Sequence, residues 1–154
     1  MKRLIQLKLS QLKKDFPNFP EYALPEVKYT DKTANGLTKA VCEFLNLSGH
    51  QAERISTTGR YIDESKIVTD YLGHHKRIGS GKYIPGNGTK GSADISAVIK
   101  GRAVKIEVKM KDKQSLHQIK YQQDIENAGG QYWLVHSFDD FEFHYDSFLD
   151  YMNK

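Results

Sequence analysis

The clearest alternation of apolar and polar positions lies at residues 94–99 and 102–109, two β-rich runs separated by Lys100-Gly101. A two-residue connection with Gly second suits a tight antiparallel hairpin. That turn sets the register, with Ile99 facing Arg102, Ala97 facing Val104, Ile95 facing Ile106, and Asp94 facing Glu107. Side chains alternate across a sheet, so Ile95, Ala97, Ile99, Val104, Ile106 and Val108 belong to a core face. Asp94, Ser96, Val98, Ala103, Lys105, Glu107 and Lys109 belong to the other. Elsewhere the period changes. Within 33–47, Leu37, Val41, Phe44 and Leu45 recur at helical spacing, and Gly49 supplies a stop. Residues 51–57 read as the first core strand, running into Thr57-Thr58-Gly59-Arg60. Ser115 with Gln118 has the form of a capping box opening a helix through Ile119, Tyr121 and Ile125 to Ala128, which Gly129-Gly130 ends. An apolar strand at 131–136, with Trp133 in the core, should return parallel to 102–109 by a strand–helix–strand crossover. Phe138, Phe141, Phe148, Leu149 and Met152 predict a packing turn and a C-terminal helix. At the other end, Leu4, Ile5, Leu7, Leu9 and Leu12 suggest a short helix or strand, after which Pro17, Pro20 and Pro25 interrupt regular structure. Residues 1–30 therefore read as an N-terminal appendage to a single α/β domain at 31–154.

Composition refines this picture only in places. A chain of 154 residues suits one domain burying about 70% of its unfolded surface. No run approaches a membrane span, and Gln6, Lys8 and Ser10 break the apolar region that a signal peptide would need. One cysteine, Cys42, excludes an internal disulfide. It reads as a small buried hydrophobe in a reducing compartment, so a soluble cytoplasmic protein is expected. The net charge of +4 permits a nucleic-acid partner without demanding one. Its distribution says more. From Tyr71 to Ala93 there is no Asp or Glu, but there are Lys76, Arg77, Lys82, Lys90, His74 and His75, among six glycines. This segment reads as an extended loop or β-ribbon leading into Asp94. It is a candidate clamp on a phosphate backbone, the plainer alternative being a solvated loop. The adjacent histidines have no further ligands nearby in sequence to make a zinc site. Arg54, alternating with the core-facing residues of its strand, is either another phosphate contact or half of a structural ion pair.

The second face of the hairpin carries the candidate chemistry. Directly opposed residues hold their Cβ atoms about 4.5–5.5 Å apart, and like charges there destabilise a sheet. The Asp94–Glu107 pair therefore calls for a cation, and paired carboxylates suit a hard one such as Mg²⁺ or Mn²⁺. Lys109 points the same way and brings an ammonium beside it, which completes equipment for phosphodiester hydrolysis. The plainer alternative is a solvated face with ordinary charges.

Asp94 followed by Glu107-Val108-Lys109 resembles the PD-(D/E)xK nuclease signature. GSAD, IEVK, SLHQ and an Ala-Gly-Gly before a strand resemble its VRR-NUC branch, the virus-type replication-repair nucleases, over residues 35–138 or so. The resemblance implies a restriction-endonuclease-like core: a helix, a three-stranded antiparallel meander, a helix and a parallel strand, with helical additions at both ends. It implies a metal-dependent nuclease acting on DNA, a structure-specific endonuclease of replication, repair or recombination, and by analogy a phage or mobile-element setting. Asp94, Glu107, Lys109 and Gln118 would be catalytic. Mg²⁺, with Mn²⁺ able to substitute, would sit on Asp94, Glu107 and the backbone carbonyl of Val108. Lys109 would orient water or stabilise the pentavalent phosphate, while the capping box accounts for Gln118 equally well. Relatives often carry a Glu where Asn35 stands, which leaves one or two metals open. Candidate nucleic-acid contacts are Arg54, Lys76, Arg77, Lys82, Lys90, Lys111 and Lys113, the partner is duplex or branched DNA, and no organic cofactor or membrane is expected. Two other readings stay open: a Holliday-junction resolvase acting as a homodimer, and a non-catalytic nucleic-acid-binding module on the same fold.

Overall fold

A computed structural model describes residues 1–56, 59–86 and 88–154. The elements in chain order are α1 (Lys2–Asp15), a 3₁₀ turn (Glu21–Ala23), α2 (Ala34–Leu47), β1 (Gln51–Arg54), β2 (Arg60–Asp63), β3 (Lys66–Thr69), β4 (His75–Ile78), β5 (Gly81–Ile84), β6 (Ile95–Ile99), β7 (Arg102–Val108), α3 (Leu116–Asn127), β8 (Gln131–Val135) and α4 (Phe138–Met152). They form two compact units, 1–55 with 91–154, and 56–90.

The first unit is an α/β structure around a four-stranded mixed sheet of order β1-β6-β7-β8. β1, β6 and β7 are successively antiparallel, and β8 lies parallel to β7. The β6–β7 register is the one that the turn dictates, from Ile95 opposite Ile106 to Ile99 opposite Arg102. Lys100 and Gly101 take φ of 50° and 77°, the two positive values that a tight turn matched to strand twist requires. Ile95, Ala97, Ile99, Val104, Ile106 and Val108 are all buried in one core.

That core is closed by helices whose apolar stripes were set by sequence. Leu37, Val41, Phe44 and Leu45 of α2 are fully buried. The hydroxyl of Thr33 accepts from the Gly36 N–H at 3.1 Å, capping the first turn, and Gly49, at φ 81°, lets the chain leave the last. Phe138, Phe141 and Tyr145 of α4 set their rings edge-on to Phe44, with centroids 5.7, 5.5 and 5.2 Å away. Such pairs contribute about 0.5–1.5 kcal/mol each beyond area burial. Trp133 is buried in the same cluster, and Cys42 packs at its edge, where burial pushes its thiol up to about 11.

Residues 1–30, set apart by their sequence pattern as an appendage, lie within this first unit. Leu4 of α1 is fully buried in the core, and the Arg3 guanidinium lies 5.2 Å over the Phe44 ring while pairing with Asp146 at 2.8 Å. β1 is shorter than the expected strand. It pairs only as far as Arg54 opposite Ile95, one further bond joins the Ile55 N–H to the Asp94 carbonyl, and Thr57 and Thr58 lie outside the described residues.

The second unit is a β-ribbon. β3 pairs with β4, and β2 with β5, both antiparallel, so the acid-free segment supplies one side of the ribbon and residues 60–69 the other. At its tip Asp70 accepts from the N–H groups of Leu72 and His74, both at 2.9 Å, a turn stabilised by a short acidic side chain.

Candidate active site

The second face of the hairpin carries the candidate site, and two glycine-dependent features deliver it. The first is the Lys100-Gly101 turn, whose register, extended one residue past Ile95, sets Asp94 across from Glu107. The second is Gly91. It sits at φ 79°, and a Cβ there would lie 2.4 Å from the His117 carbonyl carbon. Only glycine lets the segment entering Asp94 pass this close to the first turn of α3.

Asp94 is anchored by the backbone of the opposite strand, its Oδ2 accepting from the Val108 N–H at 2.9 Å. In an antiparallel ladder a residue's N–H and C=O point to the same neighbour, so the Val108 carbonyl also faces Asp94. Glu107 is only 2% exposed. Its Oε1 takes an ion pair from Lys109 Nζ at 3.1 Å and a short hydrogen bond from Gln118 Nε2. Its Oε2 is buried with no hydrogen-bond partner among the described residues. A charged oxygen left bare in the interior is costly.

Glu107 accordingly has its pKa pushed up, first by burial and then by the Asp94 charge, with Lys109 and, less strongly, the Asp94 backbone N–H opposing both. The folded state therefore holds this proton more tightly than the unfolded chain does. The associated stability is whole below the ordinary glutamate pKa and is lost as pH rises through the folded value. In EDTA, thermal melts across mildly acidic pH are expected to show stability falling over that window, and Glu107→Gln should flatten the fall. A wild-type-minus-variant difference independent of pH would show that Glu107 titrates normally.

Gln118 completes the capping box and contacts Glu107 at the same time. Its Oε1 accepts from the Ser115 N–H at 2.9 Å while Ser115 Oγ accepts from the Gln118 N–H at 3.3 Å, completing the capping box. The other end of the same amide reaches Glu107.

Asp94, Glu107, Val108, Lys109 and Gln118 thus converge. The remaining candidates lie elsewhere. Arg54 shares the face of Ala52, not the opposite face expected: the register sets Ala52 against Ala97 and Arg54 against Ile95. There its guanidinium donates to Asn35 Oδ1 at 2.7 Å. Lys111 and Lys113 are exposed just beyond β7, Lys90 is exposed, and Lys76, Arg77 and Lys82 belong to the ribbon unit. Two residues that the sequence reading gave no role adjoin the site, Lys105 already placed on this face and Tyr132 not. Lys105 Nζ donates to Ser96 Oγ at 2.5 Å, one step along the same face. Tyr132, paired with Lys105 across β7–β8, buries its hydroxyl without a hydrogen-bond partner among the described residues. Burial, then the Glu107 charge, pushes the Tyr132 pKa up, with Gln114 a smaller opposing influence. An aromatic residue in an apolar strand carries no local signal of that surrounding.

Among the described residues no three His, Cys, Asp or Glu side chains cluster as a metal site. The donors available are two carboxylates and a carbonyl, all oxygen. That set fits a hard dication that keeps several waters. No helix among the described residues is long and apolar enough to cross a membrane. No family model matches the chain, and no curated protein gives a significant match.

Proposed function

We propose that the chain is a metal-dependent nuclease hydrolysing phosphodiester bonds of DNA, on a restriction-endonuclease-like core. One observation carries this reading: the buried, unpartnered Oε2 of Glu107 beside the Asp94 carboxylate. Two carboxylates forced together in a largely desolvated pocket need positive charge, and the Lys109 ammonium occupies only Oε1. A dication held by Asp94, Glu107 and the Val108 carbonyl would polarise a phosphate and lower the pKa of a water.

The chain's own residues prepare the rest. The Val108 N–H holds Asp94 to one rotamer, and Gln118 does the same for Glu107, so both carboxylates are aimed in advance. Lys109, its side chain 15% exposed, keeps an ammonium where solvent screens it little. It can therefore offset charge that grows on the phosphate oxygens in the transition state. His136 meets the cluster only at the Lys109 carbonyl, with Nδ1 2.9 Å away, so the proton is assigned to water and not to a histidine base.

Incubation with single-stranded, duplex, flapped and branched DNAs in Mg²⁺, Mn²⁺ or EDTA tests the reading. Cleavage of at least one substrate with either cation, and none in EDTA, is expected. No cleavage of any substrate with either cation would overturn it.

A further inference from the structure

A positive excess outside that site lies on the ribbon. Residues 56–90 hold six Lys and Arg against three Asp and Glu, and that difference accounts for +3 of the chain's net +4. Pairing sorts these charges by face. In the β2–β5 ladder, Arg60 faces Ile84 and Ile62 faces Lys82 on one side, while Tyr61 faces Tyr83 and Asp63 faces Gly81 on the other. In the β3–β4 ladder, Lys66 faces Ile78 and Val68 faces Lys76 on one side, while Ile67 faces Arg77 and Thr69 faces His75 on the other.

Arg77 joins the two ladders. Its guanidinium makes a close ion pair with Asp63, and its Nε donates to Ser65 Oγ at 2.5 Å. Asp63 and Arg77 therefore share a side. The four remaining strand cations, Arg60, Lys66, Lys76 and Lys82, share the opposite one. All four are exposed, and none forms an ion pair among the described residues. Each faces an aliphatic side chain across its ladder, never another cation, which spares the like-charge cost of direct opposition.

The acids of the unit only partly offset this face. Asp63 is taken by Arg77 and Asp70 is occupied by the amides of the tip turn. Glu64, in the break between β2 and β3, has the parity of the four cations but forms no ion pair among the described residues, so the face keeps a net positive charge. From Arg60 to Val68 the face spans about 27 Å at strand rise, equal to about eight base pairs of duplex. A two-stranded ribbon also fits the B-DNA major groove, which is about 12 Å wide.

We propose that this face of the ribbon, carrying Arg60, Lys66, Lys76 and Lys82, lies along the phosphates of duplex DNA. Arg77 is then a structural brace and makes no phosphate contact. The inference rests on the nucleic-acid reading above and is tested apart from catalysis. Each cation that neutralises a phosphate steepens the fall of log affinity with log salt by about 0.9 on duplex.

Affinity for a labelled 20-base-pair duplex is measured by anisotropy in EDTA from 50 to 200 mM salt, for the full chain and three variants. Arg60→Gln/Lys66→Gln/Lys76→Gln/Lys82→Gln is expected to reduce the slope by about 3.6, so the affinity lost over that range shrinks by about 10²-fold. A charge-conserving variant (Arg60→Lys/Lys66→Arg/Lys76→Arg/Lys82→Arg) should keep the slope, which separates lost charge from a disturbed ribbon. Arg77→Gln should also keep it. An unchanged slope in the neutralised variant, or a wild type that does not bind duplex, overturns the inference, and a slope lowered by about 0.9 in Arg77→Gln overturns the brace. Cleavage in Mg²⁺ is followed in parallel. Cleavage with an unchanged slope sinks the ribbon inference alone, whereas a lost slope without cleavage of any DNA sinks the nuclease reading and leaves the ribbon as a binding surface.

Discussion

Replacing Glu107 with Gln is expected to lower the cleavage rate by more than about 10³-fold in a protein that remains folded. Removing one neutral electrostatic donor from an active site costs about 10²–10³-fold, and this substitution removes a full charge from the centre of the cluster. Shape is conserved, and an oxygen remains to accept from Lys109 and Gln118. The variant relieves the desolvated charge and its repulsion with Asp94, the two causes that push the Glu107 pKa up. Its melting temperature in EDTA at neutral pH should therefore equal or exceed that of wild type. A dication that binds only the folded state raises stability by mass action, so Mg²⁺ or Mn²⁺ should raise the wild-type melting temperature and leave the variant's nearly unchanged. Near-normal turnover, or equal cation-induced shifts in both proteins, would show that Glu107 does not hold the ion.

Lys109→Met should lower single-turnover cleavage by about 10²–10³-fold with DNA affinity almost unchanged. Methionine keeps most of the aliphatic stem and removes the ammonium that sits 3.1 Å from Glu107 Oε1. A second readout follows from that contact. Lys109 holds the Glu107 pKa down against burial and Asp94, so its loss raises that pKa further. On the proposed nuclease reading the cation is held by ionised Glu107, so the rising acidic limb of the pH–rate profile should move to higher pH. A variant that binds weakly yet cleaves at the wild-type rate when saturated would make Lys109 a phosphate anchor only.

What was legible in the sequence was local. The hairpin register follows from two turn residues and a period of two, both readable within about twenty positions. The α2 stripe and the Ser115–Gln118 capping box likewise involve neighbours three to eight residues apart. Arg54 shows where this fails: its strand offers Ala52 and Ile55 as apolar markers, on opposite parities, so pattern alone cannot choose a face. Residues 60–69 fail for a related reason. Nearly every residue of β2 and β3 is exposed, so no clean apolar-in, polar-out pattern marks them as strand.

By itself the sequence determined the elements of the first unit from α2 onward, apart from the end of β1, together with the opposed Asp94–Glu107 pair and the placing of Lys109 on the same face. Each depends on backbone geometry repeated over a few residues. Only the tertiary structure decided that α1 inserts Leu4 into the core, that Arg77 is consumed by Asp63, and that Gln118 reaches from its own helix cap to Glu107. It alone decided that Glu107 is buried with one oxygen bare. These outcomes depend on which surfaces meet, and that is set by burial summed over residues far apart in the chain, a quantity that no short window of sequence contains.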